Sequence, residues 1–348
     1  MNIDDPEVIE VRPEEQLDLE HLEPYLREHL PVSGEFKLRQ FGGGHANLTY
    51  LVRFGNEEYV LRRPPLGTVP ERAHDMRREH AVLSKLYAAF PLAPRSYLLC
   101  TDSAVIGADF VIEERKHGIA IRRDLPERFH GDTRFAQRLG NAIVDTLADL
   151  HRVDVPSVGL AELGHPDGYV SRQLEGWAKR WDAARTSETI DASALLAWFR
   201  ERLPSSPLAT LVHNDYKLDN MLLDPGDPAK IVALLDWDMC TYGDPLMDLG
   251  YVLALWPESE DPEQFRAWGM PSWREGFPNR RDVVQRYAVA TGFDVSHVAW
   301  YHIFNVFRFA VILQQIFKRY DSGQTHDQRF APFGTQANGL ITVATMLM

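Results

Sequence analysis

Leu211–Tyr251, which reads LVHNDYKLDNMLLDPGDPAKIVALLDWDMCTYGDPLMDLGY, holds two acidic positions around which the rest of the chain is organised. Asp215 stands in His213-Asn214-Asp215-Tyr216-Lys217-Leu218-Asp219-Asn220, and Asp236 opens Asp236-Trp237-Asp238 behind an apolar run. Between them, Met221-Leu222-Leu223 and Ile231-Val232-Ala233-Leu234-Leu235 flank Pro225-Gly226-Asp227-Pro228, a strand–turn–strand pattern. The hairpin puts Asn220 at the entrance of its first strand and Asp236 at the exit of its second. The spacing therefore predicts that Asp215, Asn220 and Asp236 converge on one point.

Phosphoryl transfer needs such a set: a carboxylate to align and deprotonate an attacking hydroxyl, and oxygen ligands for the magnesium that spreads the phosphate charge. The bland alternative is an acidic turn, a capped helix and a solvated Asp. An isolated His-x-Asp would favour it; the joint spacing of Asp215, Asn220, the hairpin and Asp236 favours the functional reading. A metal hydrolase built on His213, Asp215 and Asp219 is a further alternative, but a His-x-Asp needs additional His ligands and none lies at suitable spacing.

The stretch resembles the catalytic and metal-binding loops of the aminoglycoside phosphotransferase family, relatives of choline kinases and protein kinases. The family pattern is H-G-D-x-x-x-x-N followed by D-x-[DE]; here Asn214 replaces the Gly. Gly243-Asp244-Pro245-Leu246-Met247-Asp248-Leu249 also fits. The resemblance runs from about Phe41 to Tyr320 and is closest to the branch fused to, or encoded near, acyl-CoA dehydrogenases. It implies an α+β, protein-kinase-like, two-lobed fold: a small antiparallel-sheet N-lobe over 1–114 and a larger, mainly helical C-lobe over 115–348. It also implies ATP and Mg2+, with Asn220 and Asp236 as metal ligands. Asp215 would be the base, and Lys217 would touch the γ-phosphate.

Upstream, the residues supply a nucleotide-covering segment. FKLRQFGGGHAN ends at Asn47 and leads into LTYLVRFGNEEYVLRRPP, split at Gly55-Asn56 as a hairpin would be. Gly43 and Gly44 lie between two strands, where glycine lets backbone N–H groups approach a phosphate. His45 and Asn47 are candidate side-chain donors there; turn stabilisation is the plainer role for Asn. At the strand position where kinases carry a phosphate-binding Lys stands Arg62, which keeps the charge but not the shape of the head group. Alternation sends one of Arg62 and Arg63 inward and the other to solvent; Arg62 is the favoured phosphate ligand. Glu79, on the amphipathic segment Met76–Leu86, lies where the family places the acid that orients that cation. Phe110–Gly118 reads as a strand running into a link, with the backbone of Glu114 to Lys116 meeting the adenine edge.

The remaining readings concern structure. Helices are expected at His21–His29, Phe135–Val153, Tyr169–Thr186, Ala192–Leu203, Arg281–Thr291 and Val298–Tyr320. Residues 1–20 read as a loose acidic arm and 257–279 as a long loop. His151 reads as a core or dipole group. Asp248 reads as a buried loop tie that also caps a helix over Leu249–Trp256.

The chain has 348 residues and a net charge of −13, which argues against a nucleic-acid surface. Two cysteines cannot build a disulfide framework, so a reducing, cytoplasmic setting is expected. No apolar run approaches the roughly 20 residues of a membrane helix, and no membrane partner is expected. Residues 282–348 hold Asp282, Asp294, Asp321 and Asp327 against Arg286, Arg308, Lys318, Arg319 and Arg329, which is no polycation trap. The expected acceptor is therefore a small hydroxyl compound of hydroxyacyl-CoA type, linked to acyl-CoA metabolism, with an aminoglycoside as the competing choice. A catalytically weak, kinase-like nucleotide-binding protein is the competing class.

Overall fold

The structure is a computed structural model, described over residues 8–43, 47–66, 75–122, 124–205, 208–266 and 268–348. Gly44 and His45 lie outside the described residues. The chain forms two compact units. The first is Met1–Gly118 with Pro156–Leu160 and Val232–Cys240; the second is Ile119–Val155, Ala161–Ile231 and Thr241–Met348.

The first unit is built on a six-stranded antiparallel sheet. Its strands are Val8–Ile9 (β1), Phe36–Phe41 (β2), Leu48–Phe54 (β3), Glu57–Arg63 (β4), Ser96–Cys100 (β5) and Phe110–Glu114 (β6), in spatial order β1-β2-β3-β4-β6-β5. Residues 1–20 are thus not simply a loose arm: from Val8 the chain adds an edge strand, pairing Val8 with Phe41. The β3–β4 register places Thr49 opposite Arg62 and Leu48 opposite Arg63. Alternation along the sheet buries Tyr50, Val52, Phe54 and Leu61 on one face, against Leu22 and Leu26 of Leu19–His29 (α1). Met76–Leu86 (α2) begins at Asp75, whose carboxylate accepts from the N–H groups of Arg77 and Arg78. Burying Met76, Val82, Leu83 and Leu86 on one side of α2 carries Glu79 into the interior with them. Ser103–Ile106 (α3) completes the unit's helices.

The second unit is mainly helical: Thr133–His151 (α4), Tyr169–Ala184 (α5), Ser193–Glu201 (α6), Leu246–Ala254 (α7), Glu263–Arg266 (α8), Arg280–Thr291 (α9), Val298–Asp321 (α10) and Phe333–Met346 (α11). The long helix α10 packs on α5, α7 and α11. It approaches α7 so closely that a Cβ on Gly250 would lie 2.5 Å from the Tyr301 carbonyl. Short strands frame the central loops: Ile119–Ala120 (β7) pairs with Met221–Leu223 (β9), and Thr210–Val212 (β8) pairs with Thr241–Gly243 (β11). Ile231–Leu234 (β10) follows the predicted turn, which is closed by the Asp224 N–H donating to the Lys230 carbonyl at 2.9 Å.

Two expectations need correction here. Residues 257–279 are not wholly loop: they contain α8 and a 3-10 turn at Pro271–Trp273. Asp248 does not cap a helix beginning at Leu249. Helix α7 starts at Leu246 with Pro245 before it, so Asp248 lies inside the first turn with its carboxylate free for other partners. Among the described residues no helix is long and apolar enough to cross a membrane.

Candidate active site

In the second unit, the candidate base is held by a loop that the core itself anchors. Strand β8 delivers His213 and Asn214, whose backbone N–H groups donate to Asp248 Oδ2 at 2.6 Å and Oδ1 at 2.8 Å. Asp248 and His151 are both fully buried; their Oδ2 and Nε2 atoms lie 3.3 Å apart, and His151 Nδ1 meets Tyr287 Oη at 2.7 Å. His151 is therefore a packing and tethering group, not a ligand. Asn214 has φ 65°, a left-handed conformation that costs most side chains about 1–2 kcal/mol but that Asn tolerates better than other non-glycine residues. This accounts for Asn standing where the resembling pattern has Gly. The Tyr169 hydroxyl donates to Asn214 Oδ1 at 3.2 Å.

Each oxygen of Asp215 is then addressed separately. Oδ1 accepts from the Tyr251 hydroxyl at 2.6 Å. Oδ2 accepts from Asn220 Nδ2 and pairs with Lys217 Nζ, both at 2.9 Å. Asn220 Nδ2 also donates to the Asp215 carbonyl at 2.9 Å, which commits its amide N–H side and leaves Oδ1 as the donor oxygen for a cation. Asp215, Lys217 and Asn220 are thus brought together within the second unit. Tyr251 was not foreseen, since a Tyr in an apolar helix reads as core. Burial and the neighbouring Asp215 charge push the Tyr251 phenol well above its ordinary range, so it remains a donor. The Arg308 guanidinium lies 5.7 Å from the Tyr251 ring centroid and 5.0 Å from that of Trp177.

Next to this cluster is a cavity of about 550 Å³, lined by Lys217, Asp219, Tyr251, Arg122, Gln336 and the segment Trp268–Pro271, among others. Asp219 is one of its walls.

The first unit holds the remaining candidates. Arg62 Nη2 donates to Asp236 Oδ1 at 2.8 Å, and Arg62 Nε lies 3.2 Å from Glu79 Oε2. Arg63 does not turn to solvent: it is buried, and its Nη1 donates to the Ile106 carbonyl at the end of α3. Glu113 of β6, unremarked in the sequence, is buried with Glu79 near the same guanidinium. Burial raises the Glu113 carboxyl to about 7 against the pull of Arg62, and burial also drives Glu79 upward. One guanidinium faces three carboxylates, and Glu79 and Glu113 retain oxygens without hydrogen-bond partners among the described residues. Among the described residues no group of three or more His, Cys, Asp or Glu side chains is placed to hold a metal ion. Asp236 has φ 69°, so its carboxylate is presented from a left-handed turn.

The other candidates are placed less distinctively. Gly43 is exposed at the end of β2. Asn47 is buried, and its amide has no hydrogen-bond partner among the described residues. Glu114 accepts from the Arg95 N–H at 3.1 Å and pairs with Lys116 Nζ at 2.9 Å, so both side chains are used locally. His213 is fully buried with Nδ1 accepting from the Asp215 N–H at 3.3 Å, which disfavours the hydrolase reading.

The chain is similar to mouse acyl-CoA dehydrogenase family member 11, at 31% identity over 333 residues covering 92% of this chain and 42% of the relative. It therefore spans less than half the length of that curated relative. A solved aminoglycoside phosphotransferase-like protein from Ralstonia eutropha is 28% identical with a TM-score of 0.83, covering 95% of this chain and 98% of that one. The streptomycin–ATP–APH(2″)-IIa ternary complex, at 16% identity and a TM-score of 0.55 over 86% of this chain and 90% of its own, shares the fold. The model of the phosphotransferase enzyme family matches residues 37–277, the span that carries Arg62, Glu79, Asp215, Asn220 and Asp236, and the chain belongs to that family.

Proposed function

We propose that the chain transfers the γ-phosphoryl group of ATP to a hydroxyl of a small molecule, in a Mg2+-dependent reaction. The observation that carries this reading is Asp215, whose two oxygens are oriented by Tyr251 on one side and by Asn220 and Lys217 on the other. Family membership and the ATP complex of a fold relative support ATP as donor.

In this reading Asp215 accepts the proton of the acceptor hydroxyl as that oxygen forms its bond to the γ-phosphorus, and ADP leaves with the electrons of the broken P–O bond. Lys217 keeps the carboxylate in place and balances charge near the transferred group. Asn220 and Asp236 are the residues that would hold magnesium, and Glu79 would hold Arg62 in position toward the phosphates. Bound magnesium supplies electrostatic stabilisation of the phosphate oxygens. Residues 1–114 would serve the nucleotide, through Gly43, Gly44, His45 and Asn47 on the phosphates and the Glu114–Lys116 backbone on the adenine. Residues 115–348 would serve the acceptor.

The acceptor is a hydroxylated acyl thioester or a related metabolite and not an aminoglycoside. The name of the mouse relative supports the acyl-CoA link. Charge supports it too: the cavity beside Asp215 carries Arg122 and Lys217 against Asp219, no surplus of carboxylates for a polycation.

ADP release, measured with hydroxyacyl-CoAs and kanamycin-type aminoglycosides in parallel, tests the assignment. Turnover is expected with the former and abolished by Asp215→Asn, falling about 10²–10⁴-fold in kcat. Efficient kanamycin turnover would overturn the acceptor class; wild-type kcat in Asp215→Asn would remove Asp215 from the mechanism.

A further inference from the structure

Beyond the cavity beside Asp215 lies a second, smaller recess of about 60 Å³. Ala254, Phe265, Val306, Leu313 and Leu340 belong to it alone, while Leu255, Trp268 and Phe309 are walls of both spaces. Every one of these side chains is apolar. Protein interiors seldom leave voids larger than a water molecule, and an all-apolar void does not hold water well. This one adjoins a larger space that reaches Tyr251, the partner of Asp215. Trp268, at the junction, is 44% exposed, so a large ring faces open space where the two meet.

We propose that this recess takes an aliphatic arm of the hydroxyl acceptor, so that the acceptor is an amphiphile whose hydroxyl lies at Asp215 and whose apolar end lies between α7, α10 and α11. The inference rests on the transferase reading and adds its specificity determinant. The occupant follows from the continuity of the two spaces: a molecule with its hydroxyl beside Asp215 and Lys217 meets Leu255, Trp268 and Phe309 next, and nothing polar after them. At about 60 Å³ the recess is small, so it takes only a short aliphatic end.

The test uses a homologous series of 1,2-alkanediols, from propane- to octane-1,2-diol, with the full chain and Mg-ATP. Binding is read by calorimetry and turnover by ADP release. Affinity is expected to tighten about fourfold per methylene for the first few methylenes and then level off. Leu340→Ala, which deletes three carbons from the recess wall, should carry the plateau to longer diols. Val306→Phe should end it sooner, and both variants should leave kcat on the shortest diol unchanged. A flat series on the wild-type chain overturns the proposal even if neither variant folds, as does a plateau that neither variant moves. Chain-length-dependent binding without ADP release counts against the transferase reading, whereas ADP release without chain-length dependence counts against the recess alone.

Discussion

Tyr251, on α7, donates its hydroxyl to Asp215 Oδ1 at 2.6 Å, bridging 36 residues of sequence. The contact orients the carboxylate from the helix core, while Asn220 and Lys217 hold its other oxygen from the same loop. A hydrogen bond to a charged acceptor contributes about 1.5–3 kcal/mol. Tyr251→Phe removes only the donor and keeps the ring in place. It is expected to lower kcat about 10–100-fold with the KM for ATP little changed. Steady-state kinetics of ADP release checks this, and an unaltered kcat would show that Tyr251 only packs.

Asn214 should be replaceable by Gly and by little else. Its φ of 65° suits both residues, and Asn214→Gly loses the bond from Tyr169. Asn214→Val places a β-branched side chain in the left-handed region and should cost about 2 kcal/mol of stability, with a fall in kcat as the adjacent Asp215 shifts. Paired denaturation curves and kinetics of the two variants decide it.

Asp248 is fully buried and accepts from two loop N–H groups, so Asp248→Ala removes the acceptor of both bonds. The expected loss is about 2–5 kcal/mol in urea unfolding, larger than for most single substitutions. A change below about 0.5 kcal/mol would mean that the loop anchors elsewhere.

Glu113 gives a pH signature. Its carboxyl rises to about 7 in the folded chain, from an ordinary value of 4.5, chiefly through burial. The folded state therefore binds more protons than the unfolded state between those two values, so stability falls as pH rises from about 4.5 to about 7. The full shift is equivalent to roughly 3 kcal/mol, an upper figure because Glu79 shares the same guanidinium. Glu113→Gln cannot ionise and should flatten that slope in unfolding measured at fixed ionic strength. An unchanged slope would assign the titration to Glu79.

The local elements were legible because they follow from periodicity and punctuation. Helix α2 was read at its observed bounds, Met76–Leu86, because Met76, Val82, Leu83 and Leu86 repeat at helical spacing. Asp215 and Asn220 could be placed together because five residues and one tight turn leave their separation little freedom. Tyr251, Glu113 and Arg308 were not legible. Each lies in an apolar-looking segment, and in a sequence a polar head on a buried face looks the same whether it meets a catalytic carboxylate or plain core. The fate of Arg63 was equally hidden: alternation gives the side of the sheet, and only the packing of α3 shows that this side is covered.

The order of amino acids alone fixes the chemistry on offer: which carboxylates, amides and cations exist, which strands and helices bear them, and that an Asp-x-x-x-x-Asn loop precedes a hairpin. Tertiary structure decided the partnerships. Val232–Cys240 follows β9 along the chain yet clusters with residues 1–118, and this gives Asp236 to Arg62. The physical reason is range: backbone propensity acts over a few residues, whereas contacts spanning 36 or 174 positions exist only once burial of the apolar faces has fixed how the helices and strands pack.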